Sequence, residues 1–138
     1  MISLYDTATQ QVVPLAQRDP GKVSMYVCGP TVYGPPHLGH GRFALVFDIL
    51  RRYLEWSGLE VQYVSNITDI DDKIIERAER EHRDPAAIAR RCEAVWWEAM
   101  DRIGVKKPTS DPHATAYVGP MVELIGELVG AGKAYETD

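Results

Sequence analysis

Short β-prone runs and one long helical stripe dominate the first half of the chain. Residues 2–5 and 11–15 flank a polar turn, and this pattern predicts a small hairpin. The apolar residues 23–28 follow the turn signal Asp19-Pro20-Gly21 and predict a buried strand. Residues 61–64 form the next apolar run and predict another strand.

Between these two strands, apolar residues recur at helical spacing. The stripe consists of Leu38, Phe43, Val46, Phe47, Leu50, Tyr53 and Leu54. Charged residues such as Arg51 and Arg52 lie off the stripe, and Gly58 closes the helix. Strand, helix and strand in this order predict a βαβ unit, and therefore a parallel sheet with a right-handed crossover.

The chain after residue 70 is predicted to be mainly helical. Asp71 and Asp72 mark one helix start. Asp84 offers an N-cap for the next helix, with Pro85 at its first position. That helix carries an apolar stripe and ends at Gly104. The stripe consists of Ile88, Cys92, Val95, Ala99 and Ile103.

Three further segments complete the predicted organisation. Residues 106–112 predict a loop. A last apolar helix follows, with Pro120 in its first turn and Gly130 and Gly132 at its end. Residues 134–137 predict the start of another strand.

Composition and charge narrow the class of protein. The chain has 138 residues, 45% hydrophobic and 25% charged, which is typical of one soluble globular domain. A net charge of −5 argues against binding nucleic acid over the whole surface, although a local basic face remains compatible with it. Neither a transmembrane helix nor a signal peptide is predicted. Cys28 and Cys92 lie in unlike contexts, so we expect no disulfide and a reducing cytoplasm.

Residues 37–40 contain two histidines at the start of the long predicted helix. His37 and His40 are three apart and share a face, and Gly39 leaves room for a flat ring or a backbone to approach. A bound triphosphate would receive hydrogen bonds from the histidines as its oxygens gain charge during attack on the α-phosphate. The alternative is a helix cap with two exposed histidines.

Cys28 is the last residue of the predicted strand 23–28 and has three possible roles. Its thiol is a candidate metal ligand or substrate contact, but zinc requires about four ligands. The third possibility is a buried core cysteine. Cys92 lies on a helical apolar stripe, which predicts a core position.

Polar residues follow the strand 61–64 as well. Ligands of open α/β sheets bind beyond the carboxyl ends of strands, so Cys28 and Thr68 are expected at one edge and facing one crevice. Asp69, Asp71 and Asp72 suggest a magnesium site or, alternatively, carboxylates that favour a helix N-terminus.

Trp96 and Trp97 are adjacent on a predicted helix. Their side chains therefore point about 100° apart, so we expect one in the core and the other half exposed. Stacking on bases or contact with a partner is the alternative.

Three motifs, in this order and spacing, carry a family resemblance. They are MYVCGPTVY at residues 25–33, HLGH at residues 37–40 and YVSNITDIDDKII at residues 63–75. Together they resemble the cysteinyl-tRNA synthetases, which are class I aminoacyl-tRNA synthetases. The resemblance runs from about Leu4 to the last residue and is far more specific than the two histidines alone.

The resemblance implies a fold and a set of site residues. It implies an α/β fold in which residues 1–105 form the first half of a Rossmann-type (HUP-like) parallel-sheet catalytic domain. Residues 106–138 then begin a connective insertion. The family's ATP-binding signature matches His37, Leu38, Gly39 and His40, with His37 and His40 catalytic. Positions near the bound cysteine match Cys28, Gly29, Thr31, Asn66 and Thr68, and Cys28 also matches the family's first zinc ligand.

The implied reaction joins cysteine and ATP to give cysteinyl-adenylate, and then passes the cysteinyl group to tRNA(Cys). ATP with Mg²⁺, cysteine and tRNA(Cys) are the expected partners, no membrane is expected, and zinc would bind the substrate thiolate. Metal coordination discriminates cysteine from serine where an apolar pocket cannot. The family's other zinc ligands, its Lys-Met-Ser-Lys-Ser-type loop and its anticodon-binding region have no counterpart in this chain. We therefore expect the 138-residue piece to be at most a weak ligand binder.

Alternatives from other classes remain at this point. A cysteine ligase of mycothiol biosynthesis shares the motifs, but that family typically lacks the details at residues 29–33 and 41–42. A short stand-alone paralogue that binds cysteine or ATP is the second alternative. A generic Rossmann-like domain without this chemistry is the third.

Overall fold

The computed structural model describes residues 2–137, which form four strands, four α-helices and one 3₁₀ helix. The strands are β1 (Ser3–Asp6), β2 (Gln11–Pro14), β3 (Lys22–Val27) and β4 (Glu60–Ser65). The α-helices are α1 (Leu38–Trp56), α2 (Asp72–Glu81), α3 (Pro85–Arg102) and α4 (Val118–Gly130), and the 3₁₀ helix is Ala114–Tyr117. Among residues 2–137, no helix combines the length and apolar character needed to cross a membrane.

The two predicted sheets are both present. β1 and β2 pair antiparallel, which confirms the hairpin. β3 and β4 pair parallel and in register, with Val23 opposite Val61 and Val27 opposite Ser65. α1 connects them, which confirms the βαβ unit. Because both strands run in the same direction, the loops that follow them leave the sheet at one edge.

Residues 109–114, predicted to be largely loop, run alongside β4. Ser65 N donates to Ser110 O at 3.1 Å, and Ile67 N donates to Pro112 O at 2.8 Å. Two isolated parallel bridges, Val64 with Ser110 and Ile67 with His113, mark the same pairing. Pro112 has no N–H to donate, so the segment cannot form a regular ladder. The sheet edge beside β4 is therefore covered by backbone.

The helix boundaries follow the predicted caps. Asp84 Oδ2 accepts from Ala87 N at 3.1 Å, and Pro85 is the first residue of α3. Gly58 and Gly104 adopt positive φ, +86° and +74°, just beyond the ends of α1 and α3. Pro120 lies in the first turn of α4, as predicted.

Two clusters of buried residues form the core. The first consists of Val32, Ile67, Ile74, Ala78, Ile88, Ala89 and Cys92, and the second of Ala44, Trp96 and Met100. Cys92 is thus a core residue, as predicted. Trp96 is buried while Trp97 is half-buried and packs against both clusters, which confirms the division predicted for the pair.

The strand predicted at residues 134–137 is wrong: these residues have no regular structure. An isolated strand leaves its N–H and C=O groups unpaired, and no neighbouring strand lies beside this segment among residues 2–137. The pattern at Ala134-Tyr135 is therefore insufficient to form a strand without a neighbouring strand to pair with.

A buried carboxylate joins α1 to the chain that follows α3. Asp48 is 3% exposed, and its Oδ2 accepts from Arg52 Nε at 2.7 Å. Its Oδ1 accepts from Lys106 N at 3.1 Å. Arg52 in turn donates to Gly104 O at 2.6 Å. This arrangement holds the end of α3 against α1.

We expect Asp48→Ala to lower the free energy of unfolding by about 2–3 kcal/mol, because it leaves a backbone N–H and a guanidinium without their acceptor. Urea denaturation measures the loss. Glu55→Ala is the matched control, since Glu55 bonds Arg51 and Lys106 but is more exposed. Its loss should stay below about 1 kcal/mol. Equal losses of the free energy of unfolding in the two variants would show that the burial of Asp48 adds nothing to stability.

Candidate active site

The loops that follow β3 and β4 are bonded to each other at the carboxyl edge of the sheet. Gly29 N donates to the side-chain oxygen of Asn66 at 2.9 Å. Thr68 N donates to Pro30 O at 2.9 Å, and Val32 N donates to Thr68 O at 3.1 Å. The edge predicted from strand direction is therefore built from two crossing loops.

Gly29 allows this crossing. A Cβ atom on Gly29 would lie 1.5 Å from the backbone oxygen of Asn66 and 2.7 Å from its carbonyl carbon. Both neighbours are backbone atoms, which cannot turn aside as a flexible side chain would. The close approach of the two loops thus requires glycine at this position.

His37 and His40 form a reciprocal cap at the start of α1. His37 is the N-cap, and its Nδ1 accepts from Gly39 N at 3.1 Å. His40 Nδ1 accepts from His37 N at 3.1 Å, and the two rings stack with centroids 3.8 Å apart. Since each Nδ1 acts as an acceptor, the hydrogen of each neutral ring lies on Nε2. The two histidines therefore cap α1, as the alternative predicted, and both Nε2–H groups remain available to donate.

The protonation of His40 follows from its surroundings. Burial lowers the pKa of His40 below its usual value, and the charge of His37 lowers it further. The His40 ring also meets the ring of Trp96 edge-on, with centroids 5.8 Å apart. A neutral His40 is a hydrogen-bond donor through Nε2 near neutral pH.

A cavity of about 450 Å³ opens beside these loops. Its lining consists of Cys28, Gly29, Pro30, Thr31, Tyr33, His40, Phe43, Ala44, Tyr63, Ser65, Lys73 and Trp96. Four of the residues selected from the sequence thus meet in one place: Cys28, Gly29, Thr31 and His40.

Other selected residues lie around this cavity without lining it. His37 lines a smaller neighbouring cavity of about 110 Å³ together with Thr31 and His40. Leu38 is 90% exposed, and Gly39 lies against the His37 ring.

Asn66 and Thr68 lie at the predicted edge, but their side chains bond each other, Nδ2 to Oγ1, at 3.1 Å. Neither residue lines the cavity of Cys28. The Asn66 side chain accepts from Gly29 N and donates to Thr68, so it holds the two loops together.

The thiol of Cys28 is exposed, which excludes the core alternative for this residue. Sγ lies 3.7 Å from Gly29 O and is free to meet a ligand. Among residues 2–137, no three His, Cys, Asp or Glu side chains are grouped closely enough to hold a metal ion. One thiolate does not complete a zinc site, so these residues do not by themselves fit zinc.

Two of the three aspartates after β4 have hydrogen-bond partners, and the third, Asp72, lies in the first turn of α2. Asp71 is the N-cap of α2 and accepts from Lys73 N at 2.9 Å, and Asp72 lies in the first turn. Both match the helix alternative rather than a magnesium site. Asp69 instead accepts from Thr115 N at 2.9 Å and from Thr115 Oγ1 at 2.5 Å. Burial alone would raise the pKa of Asp69, but the hydrogen bonds from Thr115 outweigh it and lower that pKa.

Eight lining residues were not among the site residues predicted from the sequence: Pro30, Tyr33, Phe43, Ala44, Tyr63, Ser65, Lys73 and Trp96. Ser65 ends β4, where ligand-facing residues are expected, so its position was a usable signal. Lys73 also carried a signal, because a cation in the first turn of a helix opposes the helix dipole. Trp96 required knowledge of how α3 packs against α1.

Comparison with known proteins places these features in context. The family model for the class I (C) tRNA synthetase catalytic domain matches residues 14–138. The cysteine–tRNA ligase of Solidesulfovibrio magneticus is 46% identical over 136 residues, covering 99% of this chain and 28% of the relative. That of Staphylococcus carnosus is 44% identical over 137 residues, covering 99% of this chain and 29% of the relative. That of Trichlorobacter lovleyi is 46% identical over 137 residues, covering 99% and 28%. The chain thus spans less than a third of the length of these relatives.

Proposed function

The chain belongs to the class I (C) tRNA synthetase catalytic-domain family, and we propose that it forms the amino-terminal part of a cysteine–tRNA ligase. The proposed reaction is ATP-dependent activation of cysteine followed by transfer to tRNA(Cys). The observation that carries the proposal is the cavity in which Cys28, Gly29, Thr31 and His40 meet. The names of the relatives, all cysteine–tRNA ligases, agree with it.

The proposed fold of the whole domain extends the βαβ unit. We take β3, α1 and β4 as the first half of a Rossmann-type sheet spanning residues 1–105, with a connective insertion beginning at residue 106. The parallel pairing of β3 with β4 supports this assignment. The position of both ligand-facing loops at the carboxyl edge is what such folds require.

Activation requires the carboxylate of cysteine to attack the α-phosphorus of ATP. A carboxylate oxygen forms a bond to phosphorus, the bond from phosphorus to the bridging oxygen breaks, and pyrophosphate leaves with the electron pair. No proton has to move in this step. His37 and His40 donate hydrogen bonds from Nε2–H to phosphate oxygens that gain charge in the transition state. The capping bonds from His37 N to His40 Nδ1 and from Gly39 N to His37 Nδ1 hold both rings in place before the substrates bind.

Cys28 is proposed to contact the side chain of the substrate. Its thiol lies in the same cavity as Gly29 and Thr31, which we place beside the amino acid. Zinc at Cys28 stays a prediction, and no step above passes through it. ATP with Mg²⁺ and tRNA(Cys) as substrates, and a cytoplasmic location, stay predictions as well.

The full-length protein that contains this chain tests the proposal by cysteine-dependent exchange of pyrophosphate into ATP. We expect exchange with cysteine and at most a trace with serine. Exchange that depends on a different amino acid would overturn the proposed substrate. Transfer of activated cysteine to an amino sugar instead of tRNA would favour the mycothiol alternative.

Cys28→Ser in the same protein should raise the KM for cysteine at least about tenfold and leave the KM for ATP near its original value. The substitution replaces the thiol with a hydroxyl at the point where the substrate side chain is contacted, so it affects the KM for cysteine and not the KM for ATP. Cys92→Ala is the matched control, because Cys92 is buried in the core and lines no part of the cavity. It should lower stability and leave both KM values unchanged. An unchanged KM for cysteine in Cys28→Ser would remove Cys28 from the site.

A further inference from the structure

We propose that Lys73 binds an anionic oxygen of the substrates inside the cavity of Cys28 and His40. The oxyanion belongs either to the carboxylate of the amino acid or to the phosphate that it attacks. This inference rests on the proposed function and deepens it, because it assigns the positive charge of the site to one residue of this chain.

The position of Lys73 supports this role. It is the second residue of α2, and its backbone N–H donates to Asp71, which fixes the start of the helix. Its Nζ lies 5.2 Å from the centre of the Tyr33 ring. Lys73 and Tyr33 both line the cavity, together with Cys28, Thr31 and His40. The ammonium group is therefore held at the cavity by an aromatic face rather than by a carboxylate.

The charge balance of the cavity points to an anion. Lys73 is the single lysine or arginine in the lining, and no carboxylate of residues 2–137 contributes to it. Within the same part of the chain, Lys73 forms no ion pair. A cation in the first turn also opposes the dipole of α2, so the stability of the helix does not account for it. An uncompensated ammonium at a concave site is what a negatively charged ligand requires.

The chemistry of the proposed reaction supplies such a ligand. Cysteine brings a carboxylate and ATP brings phosphates, and these groups must approach one another despite their like charges. His37 and His40 contribute hydrogen-bond donors through Nε2. Lys73 would add a full positive charge where the two anionic groups meet, which lowers their repulsion.

Three variants of the full-length protein test the inference: Lys73→Met, Lys73→Arg and Lys107→Met. Lys107 is the matched control, because its Nζ also lies 5.2 Å from an aromatic centre, that of Trp97, but it does not line the cavity. Calorimetric titration with L-cysteine, with cysteamine and with ATP gives three separate dissociation constants. Cysteamine is cysteine without its carboxylate, so the pair isolates that group.

We expect Lys73→Met to weaken binding of one anionic ligand at least about tenfold, Lys73→Arg to restore most of it, and Lys107→Met to change nothing. Loss for cysteine but not cysteamine assigns the carboxylate, and loss for ATP assigns the phosphate. Unchanged constants for cysteine and ATP in Lys73→Met would overturn the inference.

Failure of the proposed function is distinguishable from failure of this inference. If the unsubstituted protein performs no cysteine-dependent exchange, the proposed function fails. Lys73 is then judged by titration with inorganic pyrophosphate. Weaker binding of pyrophosphate by Lys73→Met than by Lys107→Met supports the anion site at Lys73. Equal binding of pyrophosphate by the two variants overturns it.

Discussion

Replacing Gly29 with alanine is expected to lower the free energy of unfolding by more than about 3 kcal/mol. The added Cβ would lie 1.5 Å from the backbone oxygen of Asn66, so one of the two crossing loops has to move. Movement breaks the hydrogen bond from Gly29 N to the Asn66 side chain and disturbs the pairing of Pro30 with Thr68. Urea denaturation of the variant measures the loss.

Gly34→Ala is the control for Gly29→Ala, because Gly34 lies in the same loop and has room for a methyl group. The nearest neighbour of a Cβ atom added at Gly34 would be Arg77 Nη1, at 3.7 Å. The φ of Gly34 is not positive, so alanine fits the backbone and stability should change by less than about 1 kcal/mol. If Gly29→Ala were as stable as Gly34→Ala, the two loops would not depend on their close approach.

Under the proposed function, His40→Ala in the full-length protein that contains this chain is expected to lower the rate of cysteine-dependent pyrophosphate exchange about 100-fold or more, with a small change in the KM for ATP. The hydrogen bond from Nε2 is strongest when charge develops on the phosphate, so its loss falls on the transition state. Measurement of kcat and KM separately distinguishes this result from lost ground-state binding.

The cap made by His40 requires its own control, because His40→Ala also removes an acceptor at the start of α1. Asp84→Ala removes the N-cap of α3, and Asp84 does not line the cavity. Both variants should lose about 1 kcal/mol of stability. Only His40→Ala should lose exchange activity, and a comparable loss of activity in Asp84→Ala would reduce His40 to a structural role.

The pH dependence of stability gives a second readout for His40. Its pKa is lowered in the folded protein, first by burial and then by His37. The unfolded chain therefore binds the proton more readily, so the contribution of His40 is complete above about pH 6.5 and declines as the pH falls below it. This decline should be smaller in His40→Ala. His113 behaves in the opposite sense, since the hydrogen bond to Glu93 raises its pKa and its contribution is lost as the pH rises.

Local patterns determined the parts of the fold that could be predicted. The βαβ unit follows from two apolar runs around one helical stripe, and the caps at Asp84 and Gly104 follow from residue preferences within one turn. The position of Cys28 at the carboxyl edge of the sheet follows from the end of the apolar run 23–28. Each of these features depends on residues close together in the sequence.

The features that could not be predicted depend on contacts between distant segments. The burial of Asp48 carries no local signal, because its partner Lys106 lies 58 residues away. The need for glycine at position 29 is visible only once Asn66 is known to cross it. Residues 106–112 are predicted to be a loop, and Pro112 interrupts any strand pattern there, although the backbone of residues 109–114 still pairs with β4.

That pairing joins the segment before α4 to the end of β4 and the loop that follows it. Ala114 N donates to Ile67 O at 2.9 Å, and Thr115 is held by Asp69 immediately beyond. Asn66, the neighbour of Ile67, in turn holds Gly29 at the cavity. A short series of hydrogen bonds thus joins the 3₁₀ helix that precedes α4 to the rim of the site. The sequence after residue 113 therefore helps to hold the wall beside Cys28, although none of it lines the cavity.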